Sequence, residues 1–367
     1  MKIYDYLIIG GGVCGCNVAY ELHKHTSNIL LIDKLDDVAK GASGAAGAFL
    51  SPLLGKPNNF KDLVTTSLPY AVNFYKQNTP NFIDNCGTIR IPKDDTDEDK
   101  FQSYIPFIDF PFEKREAGYF FPIGSVVDSY GICKTLTQEI EKKLNYEVIS
   151  IEYDGINWII NNEITTKNLI LTTGANTKLI VEKYIDIRAI WGQRIDIETS
   201  TCISVNYHKE CSVSKSTPLN TTTNKLSIGA THHRFVEERE LSEEDTNELL
   251  KKASDIVNLE DVKVVAMHGG ARASSSDYFP IVGEVIDSSK TIEEFPYLKN
   301  GTNVNPSRFT RYKNIFILNG VGGRGFVMAP YLAKRLVENI VNNEPLEESI
   351  TSNRLFKRWV KNEKNRS

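Results

Sequence analysis

The chain has 367 residues, 41% of them hydrophobic and 25% charged, with a net charge of −4. That length exceeds what one hydrophobic core usually serves, so two joined domains are expected, and the composition excludes a disordered chain. No stretch approaches the roughly 18 apolar residues of a membrane span, and a weakly acidic chain has no global field to attract nucleic acid, so an RNA partner would need a local basic patch.

In chain order, residues 4–9 form a short apolar run ending in glycines, which predicts a buried parallel strand. Residues 13–25 carry Val13, Val18, Ala19 and Leu22 at helical spacing, and 29–32 reads as a second buried strand. Together they make one βαβ unit at the start of the chain. A loop of very small residues at 41–48 precedes a helix around 63–75. Residues 88–92 alternate like a strand, the acidic run 93–100 is a solvated turn or surface helix, and 131–144 is helical again. A hairpin follows at 147–153 and 158–161, then a buried strand at 168–173 ending on Gly174. Residues 189–197, 226–230, 262–267, 281–285 and 314–318 read as strands. Residues 242–256 form an amphipathic helix with Ser242 as N-cap, and 329–341 a last one after a glycine cluster. Nucleotide-type elements thus recur at the start, middle and end, which predicts interleaved rather than consecutive domains.

The six cysteines, at 14, 16, 86, 133, 202 and 211, contain no CxxC pair. They suit reduced thiols better than a disulfide scaffold, and no metal site is expected. The opening MKIYDYLIIGGG is too short in apolar residues for a signal peptide, and Asp5 interrupts it. A cytoplasmic protein without a membrane partner is expected; no feature of the sequence speaks to oligomeric state.

Gly10, Gly12 and Gly15 form G-x-G-x-x-G between the first strand and the first helix. The first permits a tight turn, the second lets backbone approach a pyrophosphate, and the third lets helix and strand pack closely. Asp33 ends the second strand, 18 residues after Gly15, where a carboxylate can accept ribose hydroxyls; Lys34 beside it is a further candidate contact. The loop at 41–47, with Ser43, Ala46 and Gly47, is nearly free of side chains and suits a flat isoalloxazine ring. A second cluster, Gly322, Gly323, Arg324 and Gly325, opens a helix whose N-terminus can face the electron-rich edge of that ring. Both favour FAD over NAD. With no cysteine in 314–325, the flavin is expected to be non-covalent.

The ordered set GGGVCG, GASGAAG, LILTTGANT, WGQR, HGGARASSSDYFPIVGEV and NGVGGRGFVMAP resembles the D-amino-acid-oxidase-like family of flavoenzymes across almost the whole chain. Within it, GAFLSPLLGK (47–56), GATHHR (229–234), ARASSSDYFPIVG (271–283) and TSNRLFKRWVKN (351–362) resemble the FAD-dependent oxidoreductase domain of bifunctional tRNA wobble-uridine modification enzymes. The resemblance implies an α/β fold: a glutathione-reductase-like Rossmann FAD domain (1–85, 125–188 and 312–367) interleaved with an antiparallel-sheet α+β substrate domain (86–124 and 189–311). It also implies that Gly174 lies under the pyrophosphate, that Gly322 to Gly325 meet the flavin, and that Arg272 holds a substrate carboxylate. Where amino-acid oxidases of the family carry Arg-Pro, this chain has Arg272-Ala273, which fits the tRNA-modifying group better. The chain opens on its own Rossmann strand, so any methyltransferase partner is expected to be a separate protein.

Oxidising a secondary amine requires a C–H bond held over the flavin and an anchor for the far end of the substrate. Arginine suits a carboxylate anchor because its fork binds both oxygens. The implied reaction removes the carboxymethyl group of 5-carboxymethylaminomethyl(-2-thio)uridine, giving 5-aminomethyl(-2-thio)uridine and glyoxylate. The alternatives are an oxidase or dehydrogenase of a free amine such as glycine, sarcosine or a D-amino acid, and a non-catalytic FAD-bound RNA-binding scaffold. His232, His233 and Arg234 follow a strand and are either solvated or sited at the substrate mouth, with no obvious acidic partner. Lys56 is either exposed or placed to help oxygen meet reduced flavin, and Gln193 is more structural than catalytic. Near the end, Arg354, Lys357, Arg358, Lys361, Lys364 and Arg366 oppose one acid, with Phe356 and Trp359 interleaved. This stretch is either a solvated helix face or a contact for the anticodon region of tRNA.

Overall fold

A computed structural model describes residues 2–175 and 179–363. Its organising element is the strand Ile3–Ile9, paired in parallel with Ile29–Ile32 on one side and Ile164–Leu171 on the other. Glu141–Lys143 and Arg311–Asn319 extend the parallel sheet at its two flanks. An antiparallel strand, Ile281–Ile286, adds beyond Arg311–Asn319, and the hairpin Ile151–Tyr153 with Trp158–Ile160 joins the start of Ile164–Leu171. Alternation along these strands builds two cores. Ile8, Leu31, Ile170 and Leu318 face the helices Val13–His23, Asn59–Asn78 and Gly325–Asn342. Leu7, Leu30, Leu169 and Ile317 face the other way, where Leu355, Phe356 and Val360 of the helix Asn353–Glu363 pack.

Among the described residues the second sheet has ten strands and centres on Ile187–Thr199. Lys263–Ser275 runs antiparallel to it from Ile187↔Ser275 to Glu198↔Lys263, and Asn224–Gly229 lies on its other edge. Ile195, Ile197, Leu226 and Ile228 bury against Leu249 and Ala253 of the helix Glu243–Ser254. Ser242 caps that helix by accepting from the Asp245 N–H at 3.1 Å. Among the described residues, pairing in this sheet is antiparallel except between Asn206–His208 and Thr88–Arg90, which run parallel.

Two elements differ from expectation. The stretch 131–144 divides into the helix Ser129–Leu136, capped by Asp128, and the strand Glu141–Lys143. That strand's charged sequence carries no apolar alternation; it exists because the open flank of Ile29–Ile32 offers backbone hydrogen bonds. Ile281–Ile286, inside the 189–311 stretch expected to carry the substrate, pairs in the nucleotide sheet, because the chain turns back directly after Lys263–Ser275. The acidic run becomes the helix Asp95–Tyr104, N-capped by Asp94, where acids in the first turn complement the helix dipole.

Candidate active site

The turn after Ile3–Ile9 is built on close approaches. Gly10 sits at φ +110°, and a Cβ there would lie 2.4 Å from the Thr172 carbonyl oxygen. A Cβ on Gly15 would lie 1.9 Å from the Gly10 carbonyl oxygen, so helix and turn touch only because both residues lack side chains. Gly12 is the N-cap of Val13–His23 and supplies no side-chain cap, and no acid occupies the first turn. The Val13 N–H instead donates to Ser43 Oγ at 2.9 Å, which brings the small-residue segment over the helix N-terminus. Asp33 closes the turn: its Oδ2 accepts from the Gly11 N–H at 2.6 Å and its Oδ1 from the Leu35 N–H at 2.8 Å. Lys34 is exposed.

The small residues at 41–47 have a packing reason as well. A Cβ on Gly44 would collide with the Ala39 carbonyl, and one on Gly270 of the second sheet would lie 2.7 Å from Ala42 Cα. Arg194 pins the same segment by donating from Nη1 to the Ala46 carbonyl at 2.8 Å. The two sheets therefore meet at Ala42–Ala45.

At this junction lies a cavity of about 670 Å³, bordered by Gly12, Ser43, Ala46 and Gly47 on the nucleotide side. Gly174, at φ +64°, and the turn Gly322–Gly325 form another wall. The far wall, from the second sheet, carries Arg90, His208, His232 and Arg272. Arg272 donates from Nη1 to the Thr231 carbonyl at 3.2 Å and makes no ion pair among the described residues; burial alone lowers its pKa. Its guanidinium lies over Gly192, where a Cβ would come within 2.6 Å of both terminal nitrogens. His232 borders the cavity beside it and is held down to about 4 by burial, then by the Arg272 charge. His208, hydrogen-bonded through Nδ1 to Ser212 Oγ at 2.7 Å, is pushed well below the usual imidazole value by burial, then by Arg90 and Arg324. Both imidazoles are neutral at pH 7. Burial holds Arg324 at about 10, and burial with the neighbouring Arg324 charge does the same for Arg90, so both remain charged.

Not every expected residue converges here. Lys56 is exposed ahead of Asn59–Asn78 and does not border the cavity. His233 points away and binds Asp245 at 3.0 Å, an acidic partner twelve residues on that the local sequence conceals. Arg234 is exposed beside it on the short strand His233–Arg234. Gln193 is fully buried and ties strand to helix through Ser242 and Thr246. In the basic C-terminal stretch, Arg354 grips Asp277 with two bonds, at 2.9 and 3.0 Å, and also the Phe279 carbonyl at 2.8 Å. Arg354 is therefore spent inside the molecule rather than offered to RNA. Lys357 pairs with Glu348 at 2.6 Å, and Arg358 bonds Ser276 and approaches Asp277 at 3.8 Å. Lys361 is exposed; Lys364 and Arg366 lie outside the described residues, as do Asn176 and Thr177 of the TTGANT motif. Phe356 and Trp359 pack into the core, Phe356 with Phe309 at 5.0 Å between ring centres. Sequence reading missed Arg90, His208 and Gly192. Only the alternation Thr88-Ile89-Arg90 hinted at one of them, by placing Arg90 on the face opposite Ile89.

A parallel sheet with a glycine turn under a helix N-terminus, opening into a cavity walled by a second sheet, is the architecture of a dinucleotide-binding protein. Residues 5–339 match the family model described as FAD dependent oxidoreductase (DAO). The chain belongs to that family of FAD-dependent oxidoreductases. It is 24% identical over 358 residues to the tRNA 5-methylaminomethyl-2-thiouridine biosynthesis bifunctional protein MnmC of Campylobacter fetus, covering 93% of this chain and 57% of that protein. To the Legionella pneumophila protein of the same name it is 26% identical over 373 residues, covering 92% of this chain and 54% of that one. The chain thus spans a little over half the length of these relatives. Among solved structures, glycine oxidase from Geobacillus kaustophilus superposes with a TM-score of 0.77 at 18% identity, covering 96% of this chain and 99% of that one. Iminodiacetate oxidase from Chelativorans sp. BNC1 gives 0.72 at 17% identity, with 94% and 98% covered.

The residues present fit FAD. The glycine cradle excludes side chains where a pyrophosphate would lie, and two helix N-termini without acids face the cavity. The cavity volume also falls in the roughly 300–1,000 Å³ range of small-molecule sites.

Proposed function

We propose that this enzyme oxidatively removes the carboxymethyl group of 5-carboxymethylaminomethyl(-2-thio)uridine at the tRNA wobble position, leaving 5-aminomethyl(-2-thio)uridine and glyoxylate. The observation that carries the reading is Arg272, a cavity-facing guanidinium with a single carbonyl partner and no ion pair among the described residues. Such a group demands a ligand anion, and a carboxylate matches its fork. Two likenesses support the choice of substrate. The named relatives act in tRNA 5-methylaminomethyl-2-thiouridine biosynthesis, and iminodiacetate, from which one structural neighbour takes its name, is itself a secondary amine bearing carboxymethyl groups.

Bound flavin supplies a two-electron, hydride-accepting centre. Gly10, Gly12 and Gly15 would take the pyrophosphate with Gly174 beneath it, and Asp33 the ribose. Ser43, Ala46, Gly47 and the turn Gly322–Gly325 would border the ring. Arg272 holds the substrate carboxylate and so fixes the adjacent methylene. The C–H bond of that methylene breaks with its electron pair leaving as hydride, while the nitrogen lone pair forms C=N. Water then adds to this carbon and the C–N bond breaks, releasing glyoxylate and the primary amine. The amine must be neutral when the hydride leaves, and His232, which borders the cavity beside Arg272, is itself neutral near pH 7.

tRNA docking in this reading relies on exposed cations such as Lys361 and Arg234 rather than on Arg354. A cytoplasmic location follows from the proposed substrate. A free small amine is the second reading, favoured by the internal pairing of Arg354 and Lys357. Anaerobic mixing of FAD-loaded enzyme with hypomodified tRNA, and separately with glycine, sarcosine and D-amino acids, tests the choice. Flavin bleaching by tRNA, with 5-aminomethyl nucleoside in the digest, supports the proposal. Bleaching by free amines alone, with the tRNA nucleosides intact, defeats it.

A further inference from the structure

We propose that Arg90, with Arg324 beside it, forms a second anion subsite in the cavity, so that the preferred substrate carries another anionic group besides the carboxylate held by Arg272. The inference deepens the reading above and rests on Arg272 as the carboxylate anchor. Arg90 ends the strand Thr88–Arg90 of the second sheet, and Arg324 lies in the glycine turn that leads into Gly325–Asn342. Consecutive carbonyls orient them: Nη1 of Arg90 donates to the Pro52 oxygen at 3.0 Å, and Nη1 of Arg324 to the Ser51 oxygen at 3.2 Å. Each guanidinium has five N–H donors, so most remain unspent. Nε of Arg90 is buried without any partner.

Neither arginine forms an ion pair among the described residues. The one acid felt by Arg90, Asp97, is outside pairing distance and binds the Lys93 N–H at 3.1 Å. Glu210, which also borders the cavity, sits 3.9 Å from Lys93 instead. The two cations repel each other and are both desolvated, a costly arrangement unless a ligand anion completes it. Guanidinium forks match carboxylate and phosphate oxygens alike. In the wobble nucleotide the second anion is a backbone phosphodiester; in a free amine it is a second carboxylate, as in iminodiacetate.

The test compares kcat/KM of FAD-loaded wild type and Arg90→Gln on matched amines. Sarcosine carries one carboxylate, iminodiacetate two, and 5-carboxymethylaminomethyluridine is used both as nucleoside and as its 5′-phosphate. Where turnover is slow, shifts in flavin absorbance on binding give the same ratio. The dianion-to-monoanion ratio is expected to fall about ten- to a hundredfold in Arg90→Gln, the range for charge-assisted hydrogen bonds, with partial recovery in Arg90→Lys. An unchanged ratio, including equal loss on every compound, overturns the subsite. Loss of FAD from both variants overturns it too, by making the pair a cofactor anchor, and so does failure of every dianion to bind. A ratio that falls for iminodiacetate while neither nucleoside form reacts keeps the subsite and sinks the tRNA reading, so the two failures are distinguishable.

Discussion

Replacing Arg272 by leucine separates a ligand-holding arginine from a structural one by the sign of its effect on stability. In the folded protein the side chain makes one hydrogen bond, to the Thr231 carbonyl at 3.2 Å, and no ion pair among the described residues. Removing that bond costs about 0.5–1.5 kcal/mol. Removing a desolvated cation acts in the opposite direction by a comparable or larger amount, since an unpaired buried charge carries a penalty of several kcal/mol. The net change should lie near zero or be favourable. For a domain of about 150–250 residues 1 kcal/mol moves Tm by about 2–4 °C, so a fall greater than about 4 °C is not expected. Catalysis should respond far more. Truncating one partner of a desolvated charge pair costs about 2–5 kcal/mol, which at about 1.4 kcal/mol per decade lowers kcat/KM some thirty- to several-thousandfold. Arg272→Lys keeps the charge but loses the fork and should fall between. Anaerobic stopped-flow measurement of flavin reduction, with thermal unfolding of the same samples, reads both quantities. A variant that melts far lower while its residual FAD-loaded fraction reacts normally would refute the reasoning, and so would near-wild-type turnover in a stable variant.

Gly15→Ala places a methyl carbon 1.9 Å from the Gly10 carbonyl oxygen and 2.7 Å from Thr172 Oγ1. The first helix must move off the turn, so the protein should purify nearly colourless; a variant with the wild-type 450/280 nm absorbance ratio contradicts this. Arg354→Ala breaks a two-bond pair with Asp277 in which the side chains are only 15% and 20% exposed. It should lower stability by about 2–4 kcal/mol, below the fully buried case, and leave tRNA affinity within about twofold by filter binding. Weakened tRNA binding at unchanged Tm would return Arg354 to the RNA surface. His232, held near pKa 4, and His208, held well below its usual value, refuse protons that the unfolded chain accepts below about pH 6.5. The unfolded state therefore binds more protons in that window, and stability should fall as pH drops from about 6.5 toward 4. His232→Asn should flatten part of that slope in urea titrations at stepped pH; an identical slope argues against the neutral imidazole.

Local signals served best where one residue type answers one backbone demand. The glycines at 10 and 15 follow from a turn and a helix contact that leave no room for Cβ, and such a constraint shows in any single sequence. Ser242 and the amphipathic face behind it marked a helix start for the same reason, since cap and first turn are neighbours along the chain. The signals failed where the partner is distant. Glu141–Lys143 reads as the end of a helix until the free flank of Ile29–Ile32 is present to receive it. Arg354 reads as one of a run of exposed cations, because Asp277 lies 77 positions away and only the fold sets them face to face. His233 lacks an acidic neighbour in sequence and has one in space.

Composition, glycine spacing and apolar periodicity alone determined a dinucleotide-binding α/β protein, because turns, caps and strand alternation are short-range properties. Tertiary structure decided which charges are free to meet a ligand. Arg272, Arg90 and Arg324 come from three separate segments and are left without counterions among the described residues in one cavity, whereas Arg354 finds its carboxylate. Charge pairing depends on distances of a few ångströms between residues remote along the chain, and only packing sets those distances.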